Sequence, residues 1–176
     1  MFKKRKGQIW IETVIYTLIA FTMIGLVLTF VKPEIEKLQD QAIIEQSIEV
    51  LEEINNIFKE INIAGTGNQR LIELGIKKGV LKIDGADDKL IFEIESLYEY
   101  SEPKVNYTKR DLVAYTEKKG KFNLITFTRD YDEEYDIKFN DEDLLKTITK
   151  SPSPYKLLIS HKGKIANKTI INLGVN

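Results

Sequence analysis

Residues 8–31 read QIWIETVIYTLIAFTMIGLVLTFV, and the reading of this stretch governs the reading of the whole chain. Among its twenty-four residues Glu12 is the one acidic or basic side chain. As a helix it would extend about 36 Å at 1.5 Å per residue, more than the roughly 30 Å of a bilayer's hydrocarbon core. A secretory signal peptide has a shorter apolar stretch followed by a small-residue cleavage site. Here Lys32, Pro33 and Glu34 follow instead. The basic block Lys3-Lys4-Arg5-Lys6 precedes the segment. The positive-inside rule then leaves the N-terminus in the cytoplasm and everything after Val31 outside. The plain expectation is a single-pass membrane anchor.

Beyond Pro33, which is expected to kink the helix, residues 34–63 continue as EIEKLQDQAIIEQSIEVLEEINNIFKEINI. Ile35, Leu38, Ala42, Ile43, Val50, Leu51, Ile54, Ile57, Phe58 and Ile61 recur at helical spacing between Glu, Lys and Gln. Gly65 and Gly67 end the pattern. The spacing predicts one nearly continuous helix over 8–63, about 84 Å long. Half suits lipid, and half suits the underside of a soluble domain. A simple anchor needs no such extension.

From Asn68 the period shortens to that of strands. Ile72, Leu74 and Ile76 fall on one face, as do Leu90, Phe92 and Ile94. Asp84-Gly85-Ala86-Asp87-Asp88 and Lys118-Lys119-Gly120-Lys121 read as turns. Asn140-Asp141 reads as the cap of a short helix over 141–148, and His161-Lys162-Gly163 as the tip of a last hairpin. About eight short strands are expected. The fold class is therefore α+β: a long N-terminal helix followed by a head domain built as an antiparallel sheet or sandwich packed on that helix.

Composition narrows the function. Formal net charge is −1, yet without the basic block the remainder stands at 22 positive against 27 negative side chains. A mildly acidic body argues against nucleic acid as a partner. There is no cysteine and a single histidine, His161, which excludes thiol chemistry and any multi-histidine metal site within one chain. Asp130, Asp132, Glu133, Glu134 and Asp136 offer oxygen ligands for calcium, but without EF-hand spacing they read as a solvated loop. Ser160 beside His161 makes no triad, and Gly65-Thr66-Gly67 reads as a hinge between helix and strand. No catalytic residue, cofactor or metal site is expected, and no enzymatic activity. Asn106-Tyr107-Thr108 and Asn167-Lys168-Thr169 are N-glycosylation sequons.

Glu12 carries the main functional signal. A carboxylate in the apolar layer costs a few kcal/mol unless it is paired or reaches the interface. If the chain were cut after Gly7, Gln8 would gain an α-amino group, with a reference pKa near 7.7–8.0, four residues before Glu12. Basic residues, Gly7, a cleavage point before Gln8, and Glu12 as the fifth residue of an apolar helix together resemble the class III signal of type IV prepilins. The Lys6-Gly7-Gln8 form is similar to the archaeal version, with Trp10 where archaeal pilins often carry serine. The resemblance implies a leader over 1–7, a helix over 8–63 whose first part (8–31) spans the membrane and builds a filament core, and an extracellular head over 64–176. It implies cleavage by a prepilin peptidase and extrusion by an assembly ATPase and a platform protein. It also implies polymerisation with other pilin subunits, with Glu12 docking onto a subunit's new amino terminus. The alternative is a single-pass anchored β-domain that binds a ligand or partner without polymerising.

Overall fold

A computed structural model describes residues 5–175, with side chains from Trp10 onward. One helix, α1, spans Arg5–Ala64 with Pro33 inside it. Proline has no N–H, so one i→i−4 hydrogen bond is lost there. The helix ends where Gly65 takes φ +89° and donates its N–H to the Ile61 carbonyl at 3.0 Å. The Asn68 side chain completes this cap, donating to the carbonyls of Ala64 (2.8 Å) and Gly65 (3.0 Å). These bonds satisfy carbonyls that a helix terminus otherwise leaves unpaired.

The chain forms two compact units, 1–38 and 39–176. In the first, every side chain from Trp10 to Ile35 is exposed. The helix here is long and apolar enough to cross a membrane and is a candidate anchor. Thr17 and Thr22 return their hydroxyls to the carbonyls of Thr13 and Leu18, and Thr29 to that of Leu26. Their polar groups are therefore satisfied within the helix, as an apolar surrounding requires.

In the second unit α1 buries Asp40, Ile44, Ser47, Leu51, Ile54, Phe58 and Ile61, a stripe spaced alternately by four and three residues. The expected stripe was right from Leu51 onward and out of phase before it. Ala42 is exposed, Ile43 is half-buried, and Ile44 takes the core position. Two polar members, Asp40 and Ser47, hide the true phase from a hydrophobicity pattern.

Ten strands follow: β1 (Gln69–Leu74), β2 (Val80–Asp84), β3 (Lys89–Ser96), β4 (Asn106–Lys109), β5 (Leu112–Lys119), β6 (Phe122–Asp130), β7 (Tyr135–Phe139), β8 (Leu145–Thr149), β9 (Tyr155–Ile165) and β10 (Lys168–Val175). They form a four-stranded sheet, β1-β9-β10-β7, and a six-stranded sheet, β4-β5-β6-β3-β2-β8. All pairings are antiparallel except β10 with β7. Alternation places Leu90, Phe92 and Ile94 of β3 and Ile125 and Phe127 of β6 in one core with the buried helix stripe. Phe58 of α1 meets Tyr131 and Tyr135 at ring separations of 5.1 and 5.7 Å. The fold is α+β, with a long N-terminal helix and a largely antiparallel β head.

Two sequence expectations fail here. Asn140 and Asp141 do not cap a helix: both have positive φ (53° and 66°) and form a tight turn after β7. Residues 145–149 are then strand β8, paired with β2. A pairing partner outweighs the local helical spacing. The His161 turn is likewise absent. β9 runs straight through His161, and the hairpin turns at Ala166-Asn167 (φ 48° and 71°). The register shifts so that Gly163 faces Ile170 while His161 faces Ile171, leaving Lys162 as the extra residue of a bulge.

Candidate assembly and ligand sites

The residues of the prepilin-like signal lie at the start of α1. Lys3 and Lys4 fall outside the described residues. Gly7 and Gln8 belong to the helix backbone, and their side chains are not described. Glu12 is exposed on α1, one turn beyond Gln8. Positions four apart on a helix are surface neighbours, with Cβ atoms about 5–6 Å from each other. The face containing Glu12 is otherwise apolar: Ile15, Tyr16 and Ile19 are all exposed. A run of uncovered apolar side chains from Trp10 to Val31 far exceeds what a water-soluble surface tolerates.

The acidic loop does not converge on an ion position. Asp130 pairs with Lys89 (3.5 Å), Asp132 with Lys168 (2.6 Å) and Asp136 with Lys138 (3.5 Å). Among the described residues no three acidic or histidine side chains are grouped to hold a metal. The loop does form one wall of a cavity of about 520 Å³. Arg129 and Tyr131 also line it, each 5% exposed. Arg129 donates through Nη2 to the Arg110 carbonyl at 2.6 Å, but its Nε has no hydrogen-bond partner among the described residues. Burial pushes the Tyr131 hydroxyl far above the usual phenol range, against the pull of Arg129 beside it. Its oxygen makes no hydrogen bond of standard geometry. Sequence reading marked Asp130, Asp132, Glu133 and Glu134 of this groove and missed Asp111 and Arg129; Arg129 continues the inward face of Ile125 and Phe127 on β6.

Asp84, Asp87 and Asp88 lie in the β2–β3 turn, as expected, and Asp84 accepts the N–H groups of Ala86 and Asp87. Asp88 does more. Its buried carboxylate accepts the Ile137 N–H at 2.7 Å, tying the turn to β7. Burial holds its pKa above 3.8, opposed by that hydrogen bond and by Lys168 at 3.5 Å. Asp132 shares Lys168, and this contact lowers its pKa. Lys168 is raised by the same contact with Asp132.

His161 is 2% exposed, and neither ring nitrogen has a hydrogen-bond partner among the described residues. It is a core residue, contrary to the expected solvated tip. The two sequons differ in setting. Asn106 opens β4, an edge strand whose residues are all exposed. Asn167 is exposed at a positive-φ turn position that asparagine fills readily. However, Thr169 is buried and donates its hydroxyl to Asn62 Oδ1 at 2.8 Å. No family model, curated protein or solved structure matches this chain.

Proposed function

We propose that this chain is a type IV pilin-like structural subunit, without enzymatic activity, that polymerises into a cell-surface filament of the archaeal kind. The observation carrying this reading is the uncovered apolar face from Trp10 to Val31, with Glu12 as its one charged side chain. Such a face requires lipid before assembly and other copies of the helix after it. Cleavage before Gln8 would place a new amino group one helical turn from Glu12, close enough for pairing within a chain or between neighbours. The partners are other pilin subunits, a prepilin peptidase, an assembly ATPase and a platform protein. The subunit sits in the cell membrane with its N-terminus inside, and reaches the exterior on assembly.

Intact-mass measurement of the protein from native membranes and from sheared filaments tests this reading. The expected mass is that of a chain beginning at Gln8. Retention of residues 1–7 in cells that contain an active prepilin peptidase would instead favour an anchored β-domain that never polymerises.

A further inference from the structure

The fold presents the two N-glycosylation sequons very differently. Asn106-Tyr107-Thr108 opens β4, which ends the six-stranded sheet and has β5 as its one neighbour there. Across the ladder Asn106 lies opposite Tyr115, and Thr108 lies opposite Val113. Residues directly opposite share a sheet face. On β5 the inward positions Leu112, Ala114 and Thr116 are buried, so Val113 and Tyr115 mark the outward face. Asn106 and Thr108 stand on that face together. Both are exposed, and neither side chain makes a hydrogen bond among the described residues. Tyr107, between them, turns inward and meets the Tyr100 ring edge-on at 6.4 Å. An open depression of about 430 Å³, bordered by Ser101, Glu102, Val105 and Asn106, lies at the start of the strand and leaves room for approach.

Asn167 is also exposed, in the β9–β10 turn, but the rest of its sequon points inward. Thr169 is buried, and its hydroxyl donates to Asn62 Oδ1 at 2.8 Å. Its N–H donates to the Glu134 carbonyl at 3.1 Å. Lys168, between the two, is held by Asp132 and Asp88. A transferase that requires the asparagine amide and the hydroxyl two residues on finds both at Asn106, and one of the two at Asn167.

We infer that the folded head is N-glycosylated at Asn106 and stays bare at Asn167. The donor is an oligosaccharide joined through its anomeric carbon to a lipid phosphate. Asn106 Nδ2 forms a bond to that carbon, and the bond from the carbon to the phosphate oxygen breaks. The amide proton leaves with the released lipid phosphate, and no electrons are exchanged with a third reactant. Presenting Asn106 is easy, because a four-residue edge strand with exposed side chains opens locally. Presenting Thr169 means drawing a buried hydroxyl away from its partner on α1. The attached sugar emerges beside Tyr115, over an edge whose main-chain groups would otherwise be open to other chains. This inference rests on the exterior placement of the head proposed above.

Peptide mapping by mass spectrometry of the full-length protein from native membranes tests it. After trypsin, the peptide 105–109 should carry a saccharide mass and the peptide 165–168 should not. Occupancy at Asn106 should exceed that at Asn167 by about tenfold or more, since only the second site must give up a buried hydrogen bond. Asn106→Gln and Thr108→Ala should each remove the mass increment from the intact protein, whereas Thr108→Ser should keep most of it. Equal modification of Asn167 would show that transfer precedes folding, and would overturn the choice between the sites. A bare Asn106 overturns the inference outright, and a second measurement then separates it from the pilin reading. The chain has no native cysteine, so Lys121→Cys treated with a membrane-impermeant maleimide on intact cells reports where the head lies. Labelling of Cys-bearing protein whose Asn106 is bare leaves the pilin reading intact, whereas absence of labelling counts against that reading as well.

Discussion

Asp40 on α1 accepts the backbone N–H of Leu97 at 2.7 Å through one carboxylate oxygen and pairs with Lys78 through the other. The two partners lie 57 and 38 residues away in sequence. Asp40 is 6% exposed, so these contacts close the core where the helix enters the second unit. Asp40→Ala leaves a partly buried N–H and an ammonium unpaired, which should cost about 1–3 kcal/mol. Asp40→Asn keeps an acceptor for Leu97 and should cost less. Thermal unfolding of the detergent-solubilised full chain should show Asp40→Ala melting roughly 2–10 °C below wild type, with Asp40→Asn between them. An unchanged melting temperature in Asp40→Ala would mean that this latch contributes nothing to the fold.

Asp88 and Asp132 share Lys168 and respond to acid with opposite sign. Burial raises the folded-state pKa of Asp88 above its ordinary value of 3.8. The fold therefore binds this proton more readily than the unfolded chain does. The contribution is present below 3.8 and is lost as pH rises through the raised value. Asp132 is lowered by its hydrogen bond to Lys168, so its contribution is present above 3.8 and is lost as pH falls through the lowered value. Asp88→Asn should accordingly lose more stability than wild type on acidification toward pH 3, and Asp132→Asn should lose less. Melting temperatures measured from neutral pH down to about 3 decide the matter. Parallel profiles for all three proteins would remove the linkage.

Much of this architecture was legible in the sequence because its signals are local. Leu90, Phe92 and Ile94 alternate cleanly, and the glycines at 65 and 67 mark the helix end with positive φ. The failures arise where a distant partner decides. The Asn140-Asp141 pair suits a helix cap or a tight turn equally well, and the pairing of β8 with β2 selects the turn. Lys162-Gly163 carries a turn signal that the structure spends on a bulge, which leaves His161 in the core. Asp40 and Ser47 look like surface residues until Leu97 and the Ile43 carbonyl are seen to bond them. The groove depends on residues from the helix, the β4–β5 turn and the end of β6. Asp130, Asp132, Glu133 and Glu134 follow Arg129 closely in sequence, but Asp111 and Lys59 join them only through the fold.

Glu12 yields the sharpest functional prediction. Removing a carboxylate from an apolar helix relieves a cost of about 2.5–3.5 kcal/mol at the bilayer centre, and less near the interface. Glu12→Ala should therefore leave expression, membrane insertion and cleavage after Gly7 close to normal. If the side chain is merely tolerated at the interface, nothing further follows. If it pairs with the amino terminus created at Gln8, an incoming subunit loses an attraction that is strong because the surroundings are poor in water. Filament number should then fall by at least about tenfold, the equivalent of 1.4 kcal/mol in docking. Glu12→Asp keeps the charge on a shorter arm and should be intermediate. Filaments counted by electron microscopy, set against an immunoblot of the membrane fraction, separate the two cases. Wild-type numbers in Glu12→Ala cells would make this residue an interfacial charge and withdraw its docking role, whereas intact membrane protein without filaments would place its function in subunit addition.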